Sequence, residues 1–277
     1  MILLRTYVTA QRENGSGVTI DSWHNALVGR TVALLNQKGG VGKTTVTLGL
    51  ASAAAYSGYR VLVVDLDPQA ASTWALGHDP TDVEVSTAEV LGPASAVPAV
   101  LESLWTPNIH VLPASTRLQH RESGSPERLR VALADIAERY HAVLIDCPPS
   151  LGNLTTSALT AADFAVIVVE PSALGLRGIA AVADSIDEVW DGSNPELELA
   201  GVIVNKVPAV SAEAERRYDE LTRMLGKKAV WKPAIPQRVI VNQANGERRA
   251  IHSYGARASD VTWAFDQLWR KTRKLIQ

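Results

Sequence analysis

The stretch Asn36-Gln37-Lys38-Gly39-Gly40-Val41-Gly42-Lys43-Thr44-Thr45 constrains this chain more than any other part of it. An apolar, β-branched run, Thr31-Val32-Ala33-Leu34-Leu35, leads into it, and Val46 to Ala55 continues from it with a helical composition. Strand, glycine-rich turn and helix in that order make a phosphate-binding loop. Its glycines let the backbone fold tightly enough for successive amide N–H groups to face one polyphosphate, and the helix N-terminus adds its dipole. Gly39, Gly40, Val41, Gly42, Lys43, Thr44 and Thr45 then form the cradle for a polyphosphate, with Lys38 just ahead of them. Lys43 is placed to reach the β- and γ-phosphates, and the Thr44 hydroxyl to ligate Mg²⁺.

A loop of this kind sits at the carboxyl edge of a parallel sheet, so the other strands indicate where its partners lie. Short apolar runs recur at 60–65, 109–113, 142–146, 164–169 and 199–205. Between them, 126–140 and 178–190 carry helical spacing, while 78–110 is richer in Pro, Gly and small residues. This alternation predicts an α/β fold with a doubly wound, mostly parallel sheet flanked by helices. The expected organisation is an N-terminal arm over 1–29, jointed at Glu13-Asn14-Gly15-Ser16-Gly17, and a single P-loop ATPase domain over 30–277. The arm is too short for a helix-turn-helix domain.

Two of these strands end in carboxylates. The first gives Asp65-Leu66-Asp67-Pro68-Gln69 and the second Asp146-Cys147-Pro148-Pro149-Ser150. An isolated Asp at a strand end is ordinarily a turn or cap residue. Two such ends downstream of a phosphate loop point instead to a metal and water site. In that reading Asp67 orients or activates the attacking water, Asp65 lies nearer Mg²⁺, and Asp146 holds a Mg²⁺-bound water.

With 277 residues and 46% hydrophobic side chains the chain can bury a sizeable core, and a net charge of −2 carries no footprint of nucleic acid by itself. The one cysteine, Cys147, excludes an internal disulfide and a cysteine-held cluster within one chain. The run Met1-Ile2-Leu3-Leu4-Arg5 is short for a signal peptide, and Ala165 to Val169 is short for a membrane span, so a cytoplasmic location is expected.

The loop departs from the ordinary G-x-x-x-x-G-K-[ST] pattern, with Gln37 at the first glycine and Lys38 just ahead of the glycine pair. It resembles the deviant Walker A box, K-G-G-x-G-K-T-T, of the ParA/MinD family of ATPases. The D-x-D-P-Q of 65–69 and the D-C-P-P-S-L-G-N-L of 146–154 resemble that family's two switches, and the likeness runs over about 31–270. The departure is Ala70-Ala71, where many members have Gly-Asn. The resemblance implies a Mg²⁺-dependent ATPase that forms an ATP-dependent homodimer, with Lys38 of each subunit reaching the other's nucleotide. It also places Asn205 at the adenine edge, where a turn cap is the alternative, and the backbone around Pro236 along the base. The nitrogenase iron protein shares the box but needs cluster-bridging cysteines, and Cys147 is read as a small core residue.

Within the family, ParA-like members bind DNA without sequence preference, and MinD-like members bind membrane through a C-terminal amphipathic helix. From residue 206 onward basic residues outnumber acidic ones. Arg216, Arg217, Arg223, Lys227 and Lys228 lie on or just after a predicted helix, with Arg238, Arg248 and Arg249 extending the set. They are either a solvated face or a phosphate footprint. In the tail, Val261, Phe265, Leu268, Thr272 and Leu275 make a core-facing stripe, which favours packing over contact with membrane, DNA or a partner. The resemblance therefore implies a nucleoid-associated, ParA-type ATPase for plasmid or chromosome segregation, working with a ParB-like centromere-binding or cargo-adaptor protein. Positioning of another cargo, such as a carboxysome or a chemoreceptor array, and a MinD-like role stay open, as does a binding module that keeps ATP without turnover.

Overall fold

The computed structural model describes residues 29–121 and 123–277, with the side chains of 173–177 left aside. The expected N-terminal arm and its joint lie outside the described residues. Seven strands form one sheet: β1 (Arg30–Leu35), β2 (Val61–Asp65), β3 (Leu101–Glu102), β4 (Ile109–Leu112), β5 (Ala142–Asp146), β6 (Phe164–Val169) and β7 (Glu198–Val204). Their order is β3-β4-β2-β5-β1-β6-β7, and every pairing is parallel except β3 with β4. The expected doubly wound α/β sheet is therefore present, and the antiparallel two-residue edge is the part that no hydrophobic run foretold.

The helices are α1 (Lys43–Tyr56), α2 (Ala71–Ala75), α3 (Thr87–Val90), α4 (Glu127–Ala134), α5 (Asn153–Ala161), α6 (Ala173–Asp191), α7 (Ala212–Leu225), α8 (Val239–Gly246) and α9 (Ser259–Ile276). The predicted helix over 126–140 stops earlier, at Ala134, and resumes as a single 3-10 turn over Ala137–Arg139. The central strands read as unbroken Val, Leu, Ile and Ala because both of their faces are covered. Ala33, Leu35, Leu62, Val64, Val143 and Ile145 point to one core with residues of α4, α5 and α6. Their neighbours Val32, Leu34, Val61, Val63 and Leu144 point to the other core with α1 and α9.

That second core holds the phosphate-loop helix in place. α1 is buried along most of its length, and its small residues let a second helix come close. α9 uses this with Val261, Ala264, Phe265, Leu268, Trp269, Thr272 and Ile276, all buried, so the tail packs as its stripe predicts. A polar seam joins the two layers: the Ser52 hydroxyl and His252 Nδ1 lie 2.6 Å apart, and His252 Nε2 lies 3.2 Å from Asp266 Oδ1. Burial holds the His252 pKa below its ordinary value. Ser52 is wholly buried, so this serine–histidine–aspartate line is packing and not a nucleophile.

The closest approach is at Gly49. A Cβ built there would lie 2.2 Å from Phe265 Cε1 and 2.3 Å from Cζ, and that ring is 1% exposed. Gly49→Ala should therefore lower stability by about 1–3 kcal/mol despite the better helix propensity of alanine. Denaturant unfolding of the variant checks this; an unchanged or raised midpoint would show that the two helices are free to separate.

Candidate active site

β1 ends at Leu35, and Asn36 immediately fixes the start of the loop. Its buried side chain donates from Nδ2 to the Val168 carbonyl at 2.6 Å, and its Oδ1 accepts from Lys38 N at 2.9 Å. The turn then passes through Gly40 at φ 80° and Gly42 at φ 88°, left-handed positions that suit glycine. Gly42 is required twice over, since a Cβ there would lie 2.3 Å from Asn205 Nδ2. α1 begins at the next residue, so its free N–H groups open into the loop.

Lys43 is 7% exposed and folds back to donate to the Asn36 carbonyl at 3.2 Å. Burial lowers its pKa, while Asp146, Cys147 and Asp67 pull the other way. The Lys38 side chain lies at the loop's rim, where Glu170 accepts from it at 3.1 Å. Glu170 also takes Lys206 at 3.0 Å, and Lys206 Nζ donates to the Gly40 carbonyl. The two lysines hold the Glu170 pKa below the usual range against the pull of burial. One loop thus carries two lysines with different surroundings: Lys43 enclosed beneath it, and Lys38 at its rim in exchangeable contact with a carboxylate.

Below the loop, Asp65 and Asp146 are paired positions of adjacent parallel strands, and both are buried. Desolvation raises both pKa values, and the negative charge of Asp146 adds to the effect on Asp65. Their contacts differ. Asp146 Oδ2 accepts from Ser72 Oγ at 2.7 Å, and the Thr44 hydroxyl faces the same carboxylate and helps keep its pKa down. Asp146 Oδ1 is buried with no well-formed hydrogen bond among the described residues. An orphaned carboxylate oxygen beside a threonine hydroxyl at a phosphate loop fits Mg²⁺, which takes few protein oxygens when phosphates and water supply the rest.

Asp65 does not share that arrangement. Its Oδ2 accepts from Thr73 N at 2.8 Å and Thr73 Oγ1 at 2.7 Å, and its Oδ1 accepts from Asp67 N at 3.2 Å. Both oxygens accept hydrogen bonds that organise the turn, and Asp65 stands beside Asp146 at the strand end where its place near Mg²⁺ is expected. Asp67 lies beyond it, partly exposed, with Oδ1 accepting from Gln69 N at 2.9 Å. The turn then reaches Ala70 at φ 53°, a left-handed conformation that glycine adopts freely and alanine does not. That is the physical content of the Ala70 departure seen in the sequence: the backbone keeps the glycine-like shape, with an alanine methyl buried in it.

The base-side residues also shift in meaning. Asn205 is 2% exposed and donates from Nδ2 to the Val41 carbonyl at 2.9 Å, so it braces the phosphate loop. This brace is a contact that neither sequence reading, adenine edge nor turn cap, includes. Ile235 to Gln237 runs alongside the end of β7, with Gln237 N bonded to the Val207 carbonyl at 2.8 Å, which sets Pro236 at the same sheet edge.

Of the expected basic surface, little is uncommitted. Arg216 and Arg217 both pair with Glu213, and Arg217 pairs again with Glu220 at 2.7 Å. Arg223 Nε donates to the Asp219 carbonyl at 3.4 Å. Arg238 pairs with Asp260 at 2.6 Å, and Arg249 lies 3.8 Å from Glu247 and over the Tyr254 ring. Arg248 is turned inward, donating from Nε to the Trp74 carbonyl at 2.8 Å. Lys227 and Lys228 are exposed and carry no ion pair among the described residues. The acidic partners at three and four residues were present in the sequence, and a count of arginines alone passed over them. Ser72 and Thr73 carry no motif of their own and only their helix-start positions mark them, whereas Glu170 falls in the Glu170-Pro171 pair that resembles the family.

Comparison with known proteins agrees with this architecture. A family model described as an AAA domain matches residues 29–199. The chain is 39% identical over 253 residues to the chromosome-partitioning ATPase Soj of Thermus thermophilus, covering 90% of this chain and 97% of that one. It is 34% identical over 237 residues to the sporulation initiation inhibitor protein Soj of Bacillus subtilis, covering 83% and 93%. A solved structure of cobyrinic acid a,c-diamide synthase from Mycobacterium smegmatis with bound ATP analogue and magnesium superposes with a TM-score of 0.75 at 31% identity, over 87% of this chain and 93% of that one.

The turn-organising role of Asp65 has a direct test. Asp65→Asn replaces one acceptor oxygen by a donor against Thr73 or Asp67 N–H groups, and should cost about 1–3 kcal/mol of stability in metal-free protein. A variant as stable as the wild type without metal, but with weakened Mg²⁺ binding, would make Asp65 a metal residue instead.

Proposed function

The chain belongs to the ParA/MinD family of ATPases, and from that premise we propose that it binds and slowly hydrolyses Mg²⁺-ATP, forming an ATP-bound homodimer that engages DNA without sequence preference. Its task in this reading is DNA partition with a ParB-like adaptor. The observation that carries the proposal is the division between the two loop lysines, one enclosed and one at the rim. An enclosed ammonium is suited to its own chain's phosphates. A rim ammonium held by an exchangeable carboxylate is suited to a charge arriving from outside, such as the nucleotide of a second copy.

Within one subunit, the loop N–H groups and Lys43 would bind and orient the polyphosphate. Thr44, with Asp146 through a water, would hold Mg²⁺, which supplies charge compensation across the β- and γ-phosphates. Asp67, at the open end of the switch turn, would orient the attacking water and accept its proton. Without a further positive charge the site is slow, about 10⁻⁴ to 10⁻² s⁻¹, and an adaptor's Arg or Lys is the expected accelerator.

DNA is favoured over membrane because the apolar stripe of the C-terminal helix is spent on the core. Lys227 and Lys228, followed by Lys232 and flanked by Arg223, form the proposed phosphate-contacting surface. Doubling that surface in a dimer would steepen the salt dependence, by about 0.9 in the logarithmic slope per phosphate neutralised. Lys227→Glu with Lys228→Glu should then abolish DNA binding and leave ATP turnover intact. Asp67→Ala should keep ATP binding and reduce turnover by about 10²- to 10⁴-fold, while Lys43→Ala loses productive binding. Steady-state phosphate release paired with nucleotide titration checks these; an Asp67→Ala protein turning over at the wild-type rate would remove Asp67 from the mechanism.

A further inference from the structure

Three consecutive residues of α2 each hold a different part of the molecule. Ser72 donates to Asp146 Oδ2 at 2.7 Å, and Thr73 donates to Asp65 Oδ2 through both N and Oγ1. Trp74, the next residue, gives its carbonyl to Arg248 Nε at 2.8 Å, and the Arg248 guanidinium lies over the Trp74 ring with its carbon 5.3 Å from the centroid. Arg248 is gripped from behind as well, because its own carbonyl accepts from Trp105 Nε1 at 2.9 Å.

α2 has too few residues to hold its own shape. Five residues are well below the length at which helical hydrogen bonds repay nucleation. Its N-cap, Ala70, is left-handed and makes no side-chain cap. The position of this helix is therefore set by what it touches: the buried carboxylates through Ser72 and Thr73, the Ala114 N–H through Thr73 Oγ1, the core through Ala75, and Arg248 through Trp74. Arg248 itself sits at φ 53°, a conformation that disfavours an arginine and that glycine would accept freely. An arginine kept there, half-buried and committed to Trp74 through both Nε and its guanidinium plane, is placed to hold that residue.

We propose that Arg248 is a positioning residue for the phosphate-transfer site, fixing α2 through Trp74 and so fixing Ser72 on the Asp146 carboxylate and the switch turn that carries Asp67. This rests on the ATPase reading above. Arg248 touches no reacting atom; it acts through a helix whose first turn orders the carboxylates. The consequence is a mechanical link between the switch and the segment after α8, which also carries Arg249 and Arg257.

The test uses the full chain without DNA, comparing wild type with Arg248→Gly and Arg248→Lys. Glycine suits the left-handed backbone, so it removes the grip while keeping the fold; lysine keeps the charge but loses the planar stack and Nε. We expect both variants to lower kcat by about 10- to 100-fold and to raise the Mg²⁺ concentration for half-maximal turnover several-fold. The KM for ATP and the melting temperature of the glycine variant should change little. Wild-type kcat and Mg²⁺ dependence in Arg248→Gly would overturn the proposal, and a parallel loss of DNA affinity would then return Arg248 to the basic surface. A fall in kcat that only tracks the folded fraction, with unshifted Mg²⁺ dependence, would overturn it too. Absence of ATP binding and turnover in the wild type would instead sink the ATPase reading, and this role with it.

Discussion

Two carboxylates buried side by side under a phosphate loop are the arrangement on which the rest of this structure depends. Asp65 and Asp146 end neighbouring strands at paired positions, so the sheet itself forces them together and away from water. Buried charge of that kind is costly unless donors or cations surround it. The chain meets the requirement from three directions: Lys43 and Thr44 from the loop, Ser72 and Thr73 from α2, and the backbone N–H of Asp67. Even so, Asp146 Oδ1 is left without a well-formed partner, and this residual demand marks the place that a divalent cation suits.

A second charge cluster sits above the loop and is built differently. Glu170 at the end of β6 is shared by Lys38 and by Lys206 at the end of β7, and all three are partly open to solvent. Pairs exposed to this degree contribute little stability, about 0–1 kcal/mol, and exchange partners readily. Under the proposed function that weakness is useful. Lys38 is kept in position while alone, at small cost to release, whereas Lys43 is committed by burial. The Lys206 contact to the Gly40 carbonyl and the Asn205 brace to Val41 tie the same strand end to the loop.

How much of this is legible in the sequence differs by the range of the interaction. The loop, the strands and the tail helix show in local patterns: a glycine-rich turn between strand and helix, unbroken apolar runs, and a stripe from Val261 to Leu275. Each is dictated by neighbours in the chain, and the observed elements follow those patterns closely. Asp65 and Asp67 both stand out as switch carboxylates, but their division of labour depends on Thr73, which only the fold brings to Asp65. Asn205 and Arg248 show the same limit. Their partners, Val41 and Trp74, lie far away in sequence, and no spacing rule links them. The basic surface is shaped by contacts of shorter range. Glu213 and Glu220 stand in plain view three and four residues from the arginines, and their pairing with Arg216 and Arg217 takes up charge that a bare count leaves free.

The central claim is that Lys38 belongs to a partner's nucleotide and Lys43 to its own. A crystal structure of the ATP- and Mg²⁺-bound protein, trapped against hydrolysis, tests it most directly. The account predicts two copies facing one another across their phosphate loops, with Lys38 withdrawn from Glu170 and in contact with the opposite subunit's phosphates, and Lys43 on the phosphates of its own chain. Bound ATP with the Lys38–Glu170 pair intact, and no second copy facing the loop, would contradict it.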